Sequence, residues 1–435
     1  MMRILPLPFF LLFAHVGIAQ FKNLQIVPKS SEPTELSIAI NHDDTKIIMA
    51  ALSPDKVYFT VNGGMSWTKT TLTSPFGVLG SPSIVSDFKG NFYNLHLSNP
   101  ITTNASESNS VNPEIFDRIV VQESKDGAAW SEGAFMGLNH PKDQIKPSAT
   151  VDRKGNLFVA WTQLDNTIGT TDPTCQSNIL FSTSSSGKKW SKPVVISQLP
   201  GDCKYDDNTA VGASPAVTPD GSRVFITWAI QGKIFLDRSF DAGETWLRND
   251  IAIVNQHGGW LMNVPGFGNV SGVPMLVCDN TKKTQLTGAL YMIWADQLNG
   301  ENDTDIWFTR SMNFGDNWTP PLRVNDDAPG RHQFLPSLTL DPSTGFIYMI
   351  YYDRRNYDDT KTDVYLAYST NAGATFTNVK ISEESFVPEK PSLTGGHLSI
   401  AASNGIITPI WTRFDGSETS VWTAVIKHQD LEKTK

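Results

Sequence analysis

SFDAGETW, Ser239 to Trp246, decides how the rest of the chain is read. It spells S-x-D-x-G-x-T-W, and each position has a local task. The Asp241 carboxylate is suited to fold back onto backbone N–H groups, as Asx-turns do, and Gly243 supplies the positive φ of a tight strand-to-strand turn. Ser239 and Thr245 add hydroxyls to the same turn. The Trp246 ring is expected to lie under the hairpin and lock it to the sheet below. The motif is read as a staple for a hairpin, not as a catalytic site.

Weaker copies punctuate the chain. Aligning on the aromatic residue and the Gly three positions before it gives Gly64/Trp67, Gly127/Trp130, Gly187/Trp190, Gly243/Trp246, Gly315/Trp318 and Gly373/Phe376, with aromatics 63, 60, 56, 72 and 58 residues apart. Each interval holds one four-stranded sheet of short strands and turns. TVNGGMSW, SMNFGDNW and STNAGATF carry Asn where the first copy has Asp, and the copies at Trp130 and Trp190 are degraded. A second marker agrees: Pro82, Pro147, Pro215, Pro274 and Pro336 open the first strand of most units, a place where strands tolerate proline. After residue 396, HLSIAAS, IITPIWTR and SVWTAVIK supply three strands without a fourth, while LQIV, Leu24 to Val27, lies unassigned upstream. The arrangement that uses every strand is an all-β, seven-bladed β-propeller of four-stranded antiparallel blades, with the N-terminal strand completing the last blade. Counting turn copies alone gives six blades as the alternative.

The chain has 435 residues, of which 18% are charged, and a net charge of −9. That mildly acidic balance, with no basic block, counts against nucleic acid and anionic membranes as partners. Met1 to Gln20 reads as a secretory signal: Arg3, the apolar run Ile4 to Phe13, then Gly17 and Ala19 placed for cleavage after residue 19. It is too short for a membrane span. A propeller over residues 20–435 in one domain, secreted or periplasmic or held at the cell surface, is expected, as a monomer. Cys175 and Cys203 fall in loops on one expected face flanking one blade and are expected to form a disulfide; Cys278, in MLVCD, is expected to be a buried thiol.

These repeats resemble the Asp-box (BNR) proteins of the sialidase-like β-propeller superfamily, over essentially the whole mature chain. The resemblance implies that the turn motifs join third to fourth strands on the face opposite the binding site. It implies an extracellular glycan or glycoprotein as partner, and a glycoside hydrolase of exo-sialidase type where the member is catalytic, although non-catalytic members share the same turns. Sialidases of the superfamily carry an arginine in an F/Y-R-I-P motif in the first blade. Here that strand reads ELSIAIN and has none, which counts against sialic-acid hydrolysis.

Function is then expected in loops after second strands and before first strands. Second-strand ends offer Gln163 and Asp165, Asp296 and Gln297, Asp353 with Arg354 and Arg355, and Arg413 with Asp415. Entry loops offer Asp143, Gln144 and Lys146; Tyr205, Asp206 and Asp207; His257 and Trp260; Arg331, His332 and Gln333; and His397. KDQIKPS (Lys142 to Ser148) and RHQFLPS (Arg331 to Ser337) repeat each other, so Gln144 and Gln333 serve either a shared hydrogen bond or a ligand. Arg331, Arg354, Arg355 and Arg413 are suited to clamp a carboxylate or acidic sugar, or else form an Arg–Asp network at the rim. Asp296 and Asp353, at equivalent positions in neighbouring blades, are the candidate catalytic pair, since glycoside hydrolysis needs two carboxyls. The loops from Asp296 and from Asp353 are acidic enough to suit structural Ca²⁺ but lack EF-hand spacing, and no other cofactor or catalytic metal is expected. The two functions in play are a glycan-directed propeller that binds or cleaves its ligand, and a non-catalytic protein-interaction scaffold at the cell surface.

Overall fold

Short apolar stretches ended by Gly, Asn or Asp return on their neighbours as antiparallel ladders, because a tight turn leaves the chain no other direction. The computed structural model describes residues 21–30, 35–98, 115–282, 285–388, 398–416 and 418–433. The signal segment and His397 lie outside them. Seven sheets form in chain order, each with its first strand innermost. The inner strands are Leu36–Ile40, Ser83–Ser86, Asp143–Val151, Val211–Val217, Met275–Cys278, Gln333–Leu340 and Leu398–Ser403. Blade 4 shows the pattern in full: Val211–Val217, Val224–Ile230, Lys233–Ser239 and Ile251–Asn255. Second strands such as Leu290–Asp296 and Ile347–Asp353 are buried along their whole length, because each blade is covered on both faces by its neighbours.

The seventh blade closes as the strand count requires. Leu24–Ser30 pairs antiparallel with Glu418–Thr423, joining the two ends of the chain in one sheet. The proline marker sits elsewhere than expected in three blades, Pro215 lying inside Val211–Val217 just past a break in register between Val211 and Ser214. Pro147 and Pro336 lie inside longer first strands, at breaks in register between Ile145 and Ser148 and between Phe334 and Ser337. These are bulges, where a missing N–H leaves no ladder bond unmade.

The repeated turns join third to fourth strands. In blade 4 the Ser239 hydroxyl donates to Asp241 Oδ1 (2.7 Å) and accepts from Gly243 N (2.8 Å), while Thr245 N donates to Asp241 Oδ1 (2.8 Å) and Trp246 Nε1 to Gly243 O (3.1 Å). The degraded copies keep the serine-to-glycine bond across a turn one residue shorter: Gly127 N donates to Ser124 Oγ and Gly187 N to Ser184 Oγ, each at 2.9 Å. The aromatic does not simply lie under its own hairpin. Trp246 packs edge-on against Phe181 of the preceding blade, centroids 5.0 Å apart, and Phe376 does the same to Phe308 at 4.9 Å. The turn thus grips the blade before it. Arg238 Nη1 adds a bond across the next boundary, to Phe314 O at 2.7 Å.

The first strands enclose an axial cavity of about 480 Å³. At one level a serine hydroxyl links inner strands that are too splayed to pair: Ser37 Oγ accepts from Ile84 N (3.1 Å), Ser214 Oγ from Leu276 N (2.9 Å) and Ser399 Oγ from Ile38 N (3.2 Å). At the end nearest the first-to-second strand turns, Arg153 crosses the axis. Its Nε donates to Asn280 O (2.6 Å), its Nη2 to Pro342 O (2.8 Å), and its backbone N to Pro219 O (3.1 Å). Its guanidinium lies over Phe88, which stacks on His42 at 4.5 Å, and His42 Nδ1 meets Ser403 Oγ at 3.2 Å. One chain of contacts thereby touches all seven blades and forms the floor of the cavity.

A β-carbon on Gly243 would stand 2.3 Å from Phe181 Cε1, whereas one on Gly330, at a similar φ (+95° and +98°), would meet nothing. Both alanine variants are expected to lose about 1–2 kcal/mol to backbone strain, and Gly243→Ala about 1–3 kcal/mol more from displaced packing. Urea denaturation of the two proteins measures the difference; equal losses would show that the turn does not grip its neighbour.

Candidate functional site

The connection between blades 4 and 5 carries an extra hairpin, Leu261–Val264 with Gly268–Ser271. Its tip is apolar and inserts. Phe267 is fully buried, with its ring 4.9 Å from Phe334, 5.6 Å from Tyr352 and 5.1 Å from Phe414. A strand pair that leaves the blade 4–5 boundary therefore packs on blades 6 and 7, on the face opposite the repeated turns. It roofs that side of the loop face.

Most of the expected site residues lie under or beside this roof. Arg354 is 3% exposed, with Nη1 donating to Pro265 O of the hairpin (2.6 Å) and Nε to Thr362 Oγ1 (3.1 Å). Burial pulls its guanidinium down to about 10. Asp353 is fully buried and ion-paired with Arg355 at 2.8 Å; Arg355 also reaches Asp326 and covers the Tyr365 ring at 4.1 Å. Gln333 Oε1 accepts from Asn325 Nδ2 (2.7 Å), and its Nε2 donates to Asp327 Oδ2 (3.0 Å). His332 Nδ1 meets Thr304 Oγ1 at 3.1 Å, and burial, with Arg354 acting in the same direction, lowers its imidazole to about 4. Arg331 pairs with Asp358, and Arg413 with Glu384 (3.2 Å) and Asp415 (3.3 Å).

Asp296 accepts three backbone amides, Gly258 N (2.7 Å), Gln297 N (2.7 Å) and His257 N (3.1 Å), and so pins the approach to the hairpin. It shares no hydrogen-bond partner with Asp353 among the described residues. In blade 3, Gln144 Oε1 accepts from Trp161 Nε1 (2.7 Å) and Gln163 Nε2 (3.0 Å), and Asn139 Nδ2 donates to Gln163 Oε1 (3.2 Å). Asp143 is buried and accepts from Phe116 N at 2.9 Å. Both glutamines of the repeated KDQIKPS and RHQFLPS segments are thus engaged within the protein. Among the described residues no group of three or more His, Cys, Asp or Glu is placed to hold a metal ion. Cys175 and Cys203 form the expected disulfide in a loop on this face, and Cys278 is a free, buried thiol.

Among the described residues the hairpin roofs only the side over blades 6 and 7, and the first strands of all seven blades line the cavity. Each first strand enters it at the residue two positions before the serine level, which gives Glu35, Ser81, Lys146, Gly212, Val273 and Leu335. Ser81, Lys146, Gly212 and Leu335 share a positive φ, a conformation the fold imposes at this position rather than one special to Lys146. The Lys146 ammonium sits 5.3 Å from the Tyr205 ring centroid and 5.9 Å from that of Trp260, which is itself fixed by Nε1 donating to Asp206 O (2.8 Å) and N donating to Asp207 Oδ1 (2.8 Å). Glu35 Oε2 accepts from Ser53 Oγ at 3.3 Å. Burial pushes its carboxyl above the ordinary range, against the opposing pull of Lys146. Glu35 is absent from the sequence-derived set. Its signal was available: it stands where Lys146 stands, two residues before the repeated serine of LSIAI and KPSAT.

No protein-family model matches the chain, and no curated protein sequence matches it. Solved structures do. An α-L-arabinofuranosidase from Fusarium graminearum superposes with a TM-score of 0.50 at 13% identity, over 95% of this chain and 99% of that one. The chain shares the propeller fold of that enzyme. A protein of unknown function from Dyadobacter fermentans (TM-score 0.49, 11% identity, 93% and 99% covered) and the NanB sialidase of Streptococcus pneumoniae (0.48, 10%, 90% and 83%) also align. Among the described residues no helix is long and apolar enough to cross a membrane.

Burial raises Asp143 and Asp237 to about 7. The folded chain keeps protons there that the unfolded chain releases near the ordinary carboxylate value, so this share of stability is full at acid pH and is lost as pH rises through about 7. Asp143→Asn, which keeps an oxygen for Phe116 N, is expected to shrink the fall in stability between pH 5 and pH 8 by roughly 1–3 kcal/mol. Denaturation at the two pH values measures it, and an unchanged difference would refute the shift.

Proposed function

We propose that this chain is an exported, glycan-directed propeller of the Asp-box type, and that it takes the end of an extracellular glycan at the open half of its loop face. The observation that carries the reading is the axial cavity, floored by Arg153 and lined at its mouth by Glu35 and Lys146, with the half-buried Tyr205 ring beside the Lys146 ammonium and the buried Trp260 behind it. Aromatic faces with a few converging polar groups at the mouth of a concave site are what sugar rings need, since they present apolar C–H faces and hydroxyl edges. The α-L-arabinofuranosidase that shares the fold lends support to a sugar as the ligand class here.

The geometry supports binding more directly than hydrolysis. Cleavage by the two-carboxyl route needs a second acid across the sugar, and Glu35 is the single carboxyl among the described residues that open the cavity. The arginines and carboxyls of blades 5 and 6 are engaged inside the protein, which favours the non-catalytic scaffold as the second reading.

A glycan array and a panel of aryl glycosides, applied to purified residues 20–435, test both. Glycan binding is expected, weakened about tenfold or more by Tyr205→Ala through loss of ring contact. Any turnover is expected to vanish in Glu35→Gln. Silence on array and panel alike, from a folded protein, would remove the glycan reading and leave the scaffold.

A further inference from the structure

The mouth of the cavity holds a cation with no ion-pair partner among the described residues. Of the six described residues that open it, only Glu35 and Lys146 ionise. Among the described residues Lys146 makes no ion pair and no hydrogen bond through its ammonium, whereas Arg331, Arg355 and Arg413 on the same face are each matched by a carboxylate. Its surroundings are two aromatic rings, Tyr205 and Trp260. The rings orient the charge but do not neutralise it. Glu35 is the one acid among the described entry residues; it is engaged by Ser53 and forms no ion pair with Lys146, although the ammonium pulls on its carboxyl from a distance. The carboxylates of Asp206 and Asp207, beside Tyr205 in sequence, accept from backbone amides instead, Asn208 N and Trp260 N, each at 2.8 Å.

We propose that Lys146 reads a charge on the ligand: the sugar that enters the cavity carries an anionic group, a carboxylate or a sulfate, which docks on the Lys146 ammonium at the blade 3 side of the mouth. The inference rests on the glycan reading above and adds to it the ligand's charge and the residue that selects it. An ammonium held against aromatic rings, with no counter-ion among the described residues, gains a charge-assisted hydrogen bond when an anion arrives. Glu35, whose carboxyl burial holds above the ordinary range, stands across the mouth as a hydrogen-bonding group for a neighbouring hydroxyl. A cavity of about 480 Å³ lies within the usual size of small-ligand sites, so one terminal sugar with its charged substituent is the natural occupant. The site differs from an arginine clamp in that a single point charge on a flexible stem asks for charge and proximity, not for a planar bidentate partner.

The test uses matched oligosaccharides that end in glucose, in glucuronate or in 6-sulfated glucose, titrated into the whole mature chain and into Lys146→Met and Lys146→Arg. Charged ends are expected to bind about ten- to a hundredfold more tightly than glucose, the worth of one charge-assisted hydrogen bond. Lys146→Met is expected to erase that preference and Lys146→Arg to retain most of it. The two charged arms tell carboxylate from sulfate. Thermal denaturation of each variant confirms that it folds. If glucose ends bind as tightly as charged ones, or if Lys146→Met keeps the preference, the inference is overturned while the glycan reading stands. If no saccharide binds at all, both fall.

Discussion

Among the described residues neighbouring blades share no backbone ladder; each blade's strands pair within their own sheet. Twisted sheets arranged around an axis splay apart, and what holds them must be side-chain contact and a few bonds that cross each boundary. The chain solves this by repetition. The turn between third and fourth strands places its glycine where only hydrogen fits against the preceding blade: Gly127 on Phe59, Gly243 on Phe181, Gly315 on Leu236, Gly373 on Phe308. The turns near the axis follow the same rule, Gly90 resting on Asn41 and Gly221 on Asp152. The six outer copies are therefore a set of boundary clasps, and their even spacing is the spacing of boundaries.

That constraint explains why the fold was legible and the site was not. The clasp needs particular residues in order, so its copies survive as a pattern a reader can align, and the closing strand Leu24–Ser30 follows from counting what the pattern leaves over. A second clasp, the aspartate turns Asp87 to Asn91 and Asp152 to Asn156, is spelled as plainly in the sequence by DxKGN. The site depends on something with no periodicity, a hairpin inserted once. Its trace was the 72-residue interval between Trp246 and Trp318, the longest of the five. An insertion of that length was evident, but where its apolar tip would land was not, since Phe267 contacts residues more than sixty positions away in sequence.

The landing of that tip reassigns the polar residues of blades 5 and 6. A loop face rich in arginine and aspartate reads from sequence as a ligand clamp or as an internal network. Once Phe267 and Pro265 cover it, unpaired charges there would be costly, and the groups pair: Asp353 with Arg355, Asp305 with Arg323 at 2.6 Å, Arg354 with the hairpin carbonyl. Pairing of this kind adds little net stability, but breaking it by removing one member leaves a buried charge, so the network fixes the register of hairpin on blade. The residues that looked most like chemistry hold the roof.

On the unroofed side the logic runs the other way. The entry position of each described first strand lines the cavity, and the fold is indifferent to its identity: serine in blade 2, glycine in blade 4, leucine in blade 6. A position that the scaffold leaves free is one where sequence can answer to a ligand without a structural penalty. Among the described residues of that ring the two that ionise, Glu35 and Lys146, stand on blades 1 and 3, away from the roof, while the entry residue described under the roof is the apolar Leu335. Charge follows access to solvent and ligand, and Arg153 seals the far end of the same cavity, so whatever enters past Lys146 must enter end first.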